Sequence, residues 1–265
     1  MTPVEVTRGD APVVLGMPHA GTWLPEEIQT RLNARGRALA DTDWHIDRLY
    51  DGLLPSATVV RANFHRYLID ANRDPSGRSL YPGQNTTHLV PLTDFDGQPI
   101  WETPPDAAEV ARRREDYHAP YHAALAAEMA RVRARHGVAV LYDCHSIRSR
   151  IPFLFAGELP VFNIGTNNGQ SCAPAVERAL IEAARAARPD STVLNARFKG
   201  GWTTRHYGRP AEGWHAIQME IAQRAYMDEA PPWTYRPERA DPLRATLAET
   251  LARLAAIAPT LGERP

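Results

Sequence analysis

Residues 138–146 read Val-Ala-Val-Leu-Tyr-Asp-Cys-His-Ser (VAVLYDCHS), and this stretch decides the fold class. Five uninterrupted apolar or aromatic residues, Val138 to Tyr142, predict a strand buried on both faces, as in a parallel sheet. The run ends in Asp143, Cys144, His145 and Ser146, where the chain turns polar. Because strand side chains alternate, Asp143 and His145 point to the same side. Outward from this stretch, Val13 to Met17 is a second short apolar run, ending in Pro18, His19 and Gly21. Further strands are predicted at 57–63, 67–70, 160–164, 192–196 and 216–221, the last (AIQMEI) enclosing Glu220. Helical patterns lie between them, at 24–38, 43–53, 107–136 (with Pro120 inside), 173–187 and 242–257. Residues 74–100, rich in Pro, Gly, Asn and Thr, read as a long loop of the kind that is functional or flexible. Strands alternating with helices predict an α/β sheet covered on both faces, whose ligands bind beyond the carboxyl ends of the strands. His19 and His145 each fall just past such an end.

The chain has 265 residues, and with no internal repeat or linker it reads as one domain over 1–265. Its 30 Lys and Arg balance 31 Asp and Glu, so a nucleic-acid partner has no electrostatic basis. No run approaches the roughly 20 apolar residues of a membrane span, and the opening residues lack the pattern of a secretory signal. Two cysteines, Cys144 and Cys172, are too few for a disulfide framework and fit the reducing cytoplasm.

Among ten histidines, His19 and His145 have the best case as metal ligands. Each also has a plainer reading: His19 as a loop histidine on a carbonyl, Asp143–His145 as a structural pair. As a functional pair, Asp143 would orient a ligating His145. Asp43 and Asp47, four apart on one predicted helix, offer a carboxylate to complete the three-ligand set of catalytic zinc. Otherwise they are a helix cap and a solvated charge. Glu220 inside an apolar strand is either a general base for a metal-bound water or an edge carboxylate facing solvent. Arg66 and Arg73 flank Asp70 and Asn72 in RYLIDANR; arginines grip carboxylates in two-pronged fashion, so they suggest an acidic substrate, the alternative being a surface Asp70–Arg73 ion pair. His118-Ala-Pro-Tyr-His122 has helical metal-pair spacing but lacks the Glu of H-E-x-x-H, and reads as packing and hydrogen bonding. Cys144 would point away from His145, so a thiol nucleophile is disfavoured. Nucleotide-loop and serine-hydrolase motifs are absent from the sequence.

The segments MPHAGTWLP (17–25), DTDWHIDRLYD (41–51), FHRYLIDANRDPSG (64–77), YHAPYHAAL (117–125), LYDCHSIRSRIP (141–152), FNIGTNNGQSCAP (162–174) and 198–229 together resemble the N-formylglutamate amidohydrolase family. They run in order through nearly the whole chain. The family is distantly similar to zinc carboxypeptidases and aspartoacylases. That resemblance implies a three-layer domain with a mixed, mostly parallel sheet, and one divalent metal, Zn2+, held by His19 and His145. It implies Glu220 as base, Arg66 as oxyanion stabiliser, and Asn72 with Arg73 as holders of a substrate carboxylate. The chain departs from the carboxypeptidase pattern where H-x-x-E would place an acid: that position is Thr22. The third ligand must come from elsewhere, with Asp43 ahead of Asp47. The implied reaction converts N-formyl-L-glutamate to L-glutamate and formate in histidine degradation. A small dicarboxylate needs a second cation, for which Arg205, Arg148 and Arg150 are candidates. Competing readings are another N-acyl acidic amino acid as substrate, a two-His-one-carboxylate non-haem iron oxygenase, and a non-catalytic binder of an acidic metabolite.

Overall fold

The computed structural model describes residues 2–80, 83 and 85–262, so positions 81, 82 and 84 of the expected long loop lie outside the described residues. In chain order the strands are β1 Val4–Thr7, β2 Val13–Met17, β3 Thr58–Ala62, β4 Ala139–Ile147, β5 Phe162–Gly165, β6 Thr192–Leu194 and β7 Trp214–Ala222. The helices are α1 Glu26–Gln29, α2 Ala34–Arg37, α3 Ile46–Tyr50, α4 Ala107–Arg113, α5 Ala119–His136, α6 Pro174–Ala187, α7 Trp202–Tyr207 and α8 Pro237–Gly262. A π-helical turn, Arg114–His118, joins α4 to α5.

The strands form one seven-stranded sheet in the order β1-β3-β2-β4-β7-β5-β6. The pairs β3–β2, β2–β4, β4–β7 and β5–β6 are parallel; β1–β3 and β5–β7 are antiparallel. The sheet is therefore mixed and mostly parallel. Period-two alternation sends Val140, Tyr142 and Cys144 of β4 and Ile217, Met219 and Ile221 of β7 onto α3, α6 and α8. Val14, Leu141 and Ala216 face the other way, onto Tyr121, Leu125, Met129 and Val132 of α5. All nine residues of β4 are buried, which is why its core reads as an unbroken apolar run.

Several sequence expectations need correction. β4 runs on through His145 to Ile147 because β7 stays paired with it as far as Ala222, so His145 lies within a strand, not beyond its end. The predicted strand at 67–70 is a turn, closed by Leu68 N donating to His65 O at 2.9 Å. The predicted 24–38 helix breaks into α1 and α2: Asn33 N donates to Ile100 O (3.0 Å), and the Asn33 side chain caps α2. The predicted 43–53 helix starts only at Ile46, because His45 adopts left-handed backbone (φ 59°). Asp43 consequently sits before the helix and Asp47 within it, so the two do not share a helical face. Strand β1 and helix α7 were not anticipated. Among the described residues, no helix is long and apolar enough to cross a membrane.

Beyond β2 the chain stays against the segment that follows β3: Trp23 N donates to Asn63 O (3.3 Å) and His65 N to Trp23 O (2.9 Å). This pairing sets the His19 loop beside Arg66. It requires a glycine at position 21, where a Cβ would lie 2.3 Å from Asn63 C and 2.6 Å from Phe64 O, both backbone. Gly21→Ala is expected to lower the melting temperature by on the order of 5 °C, an overpacking effect, measurable by thermal unfolding. An unchanged melting temperature would contradict the close approach.

Candidate metal and active site

Loops and strands from separate parts of the chain deliver the site to one end of the sheet. The loop after β2 carries His19, the loop before α3 carries Asp43, β4 and β7 carry His145 and Glu220, and the segment after β3 carries Arg66, Asp70, Asn72 and Arg73. In the β4–β7 register His145 stands beside Glu220 and Asp143 beside Gln218, all four on the α5 side of the sheet.

Donor atoms of His19, Asp43 and His145 lie within 4.8 Å of one another, and all three residues are buried. His145 Nδ1 is 3.3 Å and His19 Nδ1 3.9 Å from Asp43 Oδ2. The far nitrogen of each imidazole faces a buried carboxylate: His19 Nε2 lies 2.7 Å from Asp70 Oδ1, and His145 Nε2 3.1 Å from Asp143 Oδ1. For His19 this outer carboxylate fixes the ring and its tautomer and leaves Nδ1 as a lone-pair donor; His145 Nε2 lies between Asp143 and the Asn72 amide nitrogen, 3.1 Å from each. His19 Nδ1 and Asp43 Oδ1 are buried with no hydrogen-bond partner. Two inward nitrogens and a carboxylate, with buried atoms unsatisfied, fit a divalent ion of the zinc type.

The electrostatics follow the same geometry. Burial, reinforced by Arg66, pushes His19 below its ordinary value. His145 moves the other way: burial opposes its charge, but Asp143 and Asp43 raise it well above normal. Against the cost of burial, Arg73, Arg66 and His19 hold Asp70 well below the usual carboxylate range. Burial pushes Glu220 up to about 7, with Asp43 adding to the rise.

Asp70 is the residue whose reach the sequence hid. It reads there as a partner of Arg73, yet it also takes His19, Asn72 N (2.8 Å) and Arg66 Nη2 (2.8 Å). Arg66, 5 % exposed, lies over the Phe95 ring at 4.7 Å, and its buried Nε has no partner. Asn72 accepts from Thr203 N (2.9 Å) and sets its Nδ2 3.1 Å from His145 Nε2. Glu220, 6 % exposed, accepts at Oε2 from Gln218 Nε2 (2.9 Å).

These groups open onto a cavity of about 160 Å³, room for on the order of ten waters and hence for a small metabolite. His19, Asp43, Arg66, Asn72, Arg73, His145 and Glu220 all line it. Its other cations are Arg78 and Arg197, neither singled out from the sequence. Arg197 Nε donates to Leu154 O (3.0 Å) and Nη2 to Asn85 O (3.3 Å), tying two loops at the cavity wall.

Four expected site residues are placed elsewhere, among them Arg150, exposed and paired with Glu158 at 2.6 Å. Asp47, 43 % exposed in its side chain, pairs with Arg61 at 2.8 Å. Arg148 lies outside the cavity lining and turns to Asp96 and Asp41. Arg205 also lies outside it, its Nε donating to Gly200 O at 3.1 Å. Cys144 packs into the opposite face of the sheet, as alternation requires.

A sequence model of the N-formylglutamate amidohydrolase family matches residues 11–227. The chain belongs to the N-formylglutamate amidohydrolase family. Two relatives, N-formylglutamate deformylases of Pseudomonas aeruginosa and Pseudomonas putida, are 46% and 45% identical to it over 252 residues, 94% of this chain and 94% of each relative. The crystal structure of an N-formylglutamate amidohydrolase from Ralstonia eutropha superposes with a TM-score of 0.79 at 27% identity, covering 98% of both chains. A protein of Agrobacterium tumefaciens shares the fold (TM-score 0.75, 19% identity, 97% of this chain and 96% of that one). Membership in an amidohydrolase family argues against the oxygenase and the non-catalytic binder.

The placement of the two aspartates yields a direct comparison. Asp43→Asn is expected to weaken divalent zinc or cobalt binding at least about 10-fold, since it removes the charged ligand. Asp47→Asn, on the surface with Arg61, is expected to leave it unchanged. Equal weakening of both variants in a metal titration would contradict the assignment.

Proposed function

We propose that the chain hydrolyses N-formyl-L-glutamate to L-glutamate and formate, using one divalent metal, Zn2+, held by His19, Asp43 and His145. The observation that carries this reading is the convergence of that donor set with Glu220 and Arg66 on one small cavity. The relatives that match over nearly the whole chain are deformylases of this compound. The same resemblance supports a role in histidine degradation, and the two buried free cysteines suit a reducing cytoplasm.

A metal bound there would polarise the formyl oxygen and lower the pKa of a bound water. The chain's own residues do the rest. Glu220, with Oε2 engaged by Gln218, takes the water proton and passes it to the leaving nitrogen. Its burial suits that task, because a base working near neutrality needs a pKa near neutrality. Arg66, which lines the cavity, stabilises the developing oxyanion; a cation held in place beforehand needs little reorganisation when charge appears. Asn72 and Arg73 take one substrate carboxylate and Arg197, in place of Arg148 or Arg205, the other. The phenyl face of Phe95 and the surrounding loops limit water around the reacting amide.

Formate release from N-formyl-L-glutamate by the purified, metal-loaded protein tests the reading; none, with metal bound, would overturn it. Glu220→Gln should lower kcat by roughly 10²–10⁴ while metal content stays near one ion per chain. Loss of the metal in that variant would remove Glu220 from the role of base. The base must be ionised, so activity falls as pH drops through its pKa. Glu220 alone sits at about 7, and the metal's charge draws it lower, so the acid limb of kcat/KM should fall at or below pH 7. An acid limb well above pH 7 would contradict this.

A further inference from the structure

The His118-Ala-Pro-Tyr-His122 segment is the sequence motif that the chemistry above leaves unused. Four residues apart along the helix, the two imidazoles emerge on the same side. The π-helical turn ending at His118 adjoins α5 here, and such turns often mark functional positions. The rings do not form a second metal pair, because each Nε2 is already committed. His118 Nε2 lies 3.0 Å from the carbonyl oxygen of Arg73, and His122 Nε2 lies 2.7 Å from that of Ala71. A carbonyl only accepts, so both Nε2 atoms carry the proton and donate. His122 Nδ1 lies 3.2 Å from the Tyr207 hydroxyl, which donates to the His122 carbonyl at 3.1 Å. Burial, with His118 and His206 adding, pushes His122 down to about 3, so this grip is made by a neutral ring throughout the working range.

The target of both donors is the turn Asp70-Ala71-Asn72-Arg73. Asp70 holds His19, Asn72 lies against His145, and Arg73 lines the cavity. From the other side, α7 takes part: Trp202 packs on both rings (centroids 5.6 and 4.6 Å), while Thr203 N donates to Asn72 Oδ1. The turn is therefore gripped at one carbonyl by the π-helical turn, at a second by α5, and at one side chain by α7.

We propose that His118 and His122 are positioning residues that set the Asp70–Arg73 turn, His118 aiming Arg73 at the substrate and His122 keeping Asp70 on His19. The two grips act on different outputs. Arg73 anchors ground state and transition state alike, so its displacement raises KM and spares kcat. Displacing Asp70 loosens the partner of a metal ligand and weakens metal binding.

This inference rests on the proposed deformylase activity for one of its readouts. Leucine matches histidine roughly in bulk but cannot donate, whereas the amide of glutamine can stand in for Nε2. His118→Leu is expected to raise KM for N-formyl-L-glutamate about 10-fold with kcat within about 3-fold, and His118→Gln to restore KM. His122→Leu is expected to lower zinc or cobalt affinity about 10-fold, with His122→Gln recovering most of it. If the leucine variants do not fold, His118→Asn and His122→Asn, whose shorter amides fall short of the carbonyls, are compared with the glutamine variants for the same readouts. Glutamine variants no better than their leucine or asparagine counterparts, or unchanged KM and metal affinity in all, would overturn the proposal. A wild-type protein that binds metal but releases no formate would overturn the proposed function alone, because the His122 metal titrations still decide this inference.

Discussion

The buried carboxylate of Asp70 is the constraint on which the site depends. It is 0% exposed and accepts from His19 Nε2, Arg66 Nη2 and the Asn72 backbone, with Arg73 Nη1 3.6 Å away. One anion thus orients a metal-facing imidazole, the cation aimed at the oxyanion and the cation meant for substrate. Taking such a charge out of water is costly, and removing one partner of a buried pair typically costs about 3–5 kcal/mol. Asp70 is tolerable because three donors and the nearby Arg73 guanidinium converge on it, and those groups are held in place because they must satisfy it. Asp143 lies beside His145 Nε2 as an ion-pair partner at 3.1 Å, and both histidines turn Nδ1 toward Asp43.

The sheet supplies the rest of the precision. Parallel pairing of β4 and β7 puts His145 and Glu220 side by side, and their shared orientation follows from the period of the strand. The apolar residues that alternate with them are buried against α3, α6 and α8. The strand cannot slip by one residue without turning Glu220 into that core and Met219 into the cavity. Packing thus protects the register of the chemistry.

Much of this is readable in the sequence, for local reasons. The buried strands announce themselves as apolar runs, and polar residues at or near their ends mark His19, His145 and Glu220 as candidates. What resists reading is set by contacts between distant segments or by single backbone angles. The choice between Asp43 and Asp47 turns on the left-handed φ of His45, which removes the shared helical face. The reach of Asp70 is masked by its nearby arginines, which already offer a satisfactory local pairing. Arg197 enters the cavity through loop contacts to Leu154 and Asn85, with no motif around it, whereas Arg148 and Arg205 looked better in sequence and are drawn off by Asp96 and Gly200. Strand β1 is short and mostly exposed, so it lacks the apolar signature of its neighbours.

Both imidazoles turn Nδ1, not Nε2, toward Asp43 and so toward the metal site. An anomalous-difference map from crystals grown with zinc, collected at the zinc edge, tests it most directly. One strong peak is expected about 2.0–2.2 Å from His19 Nδ1, His145 Nδ1 and an oxygen of Asp43. A peak bound through Nε2, or one that bypasses Asp43, would contradict it.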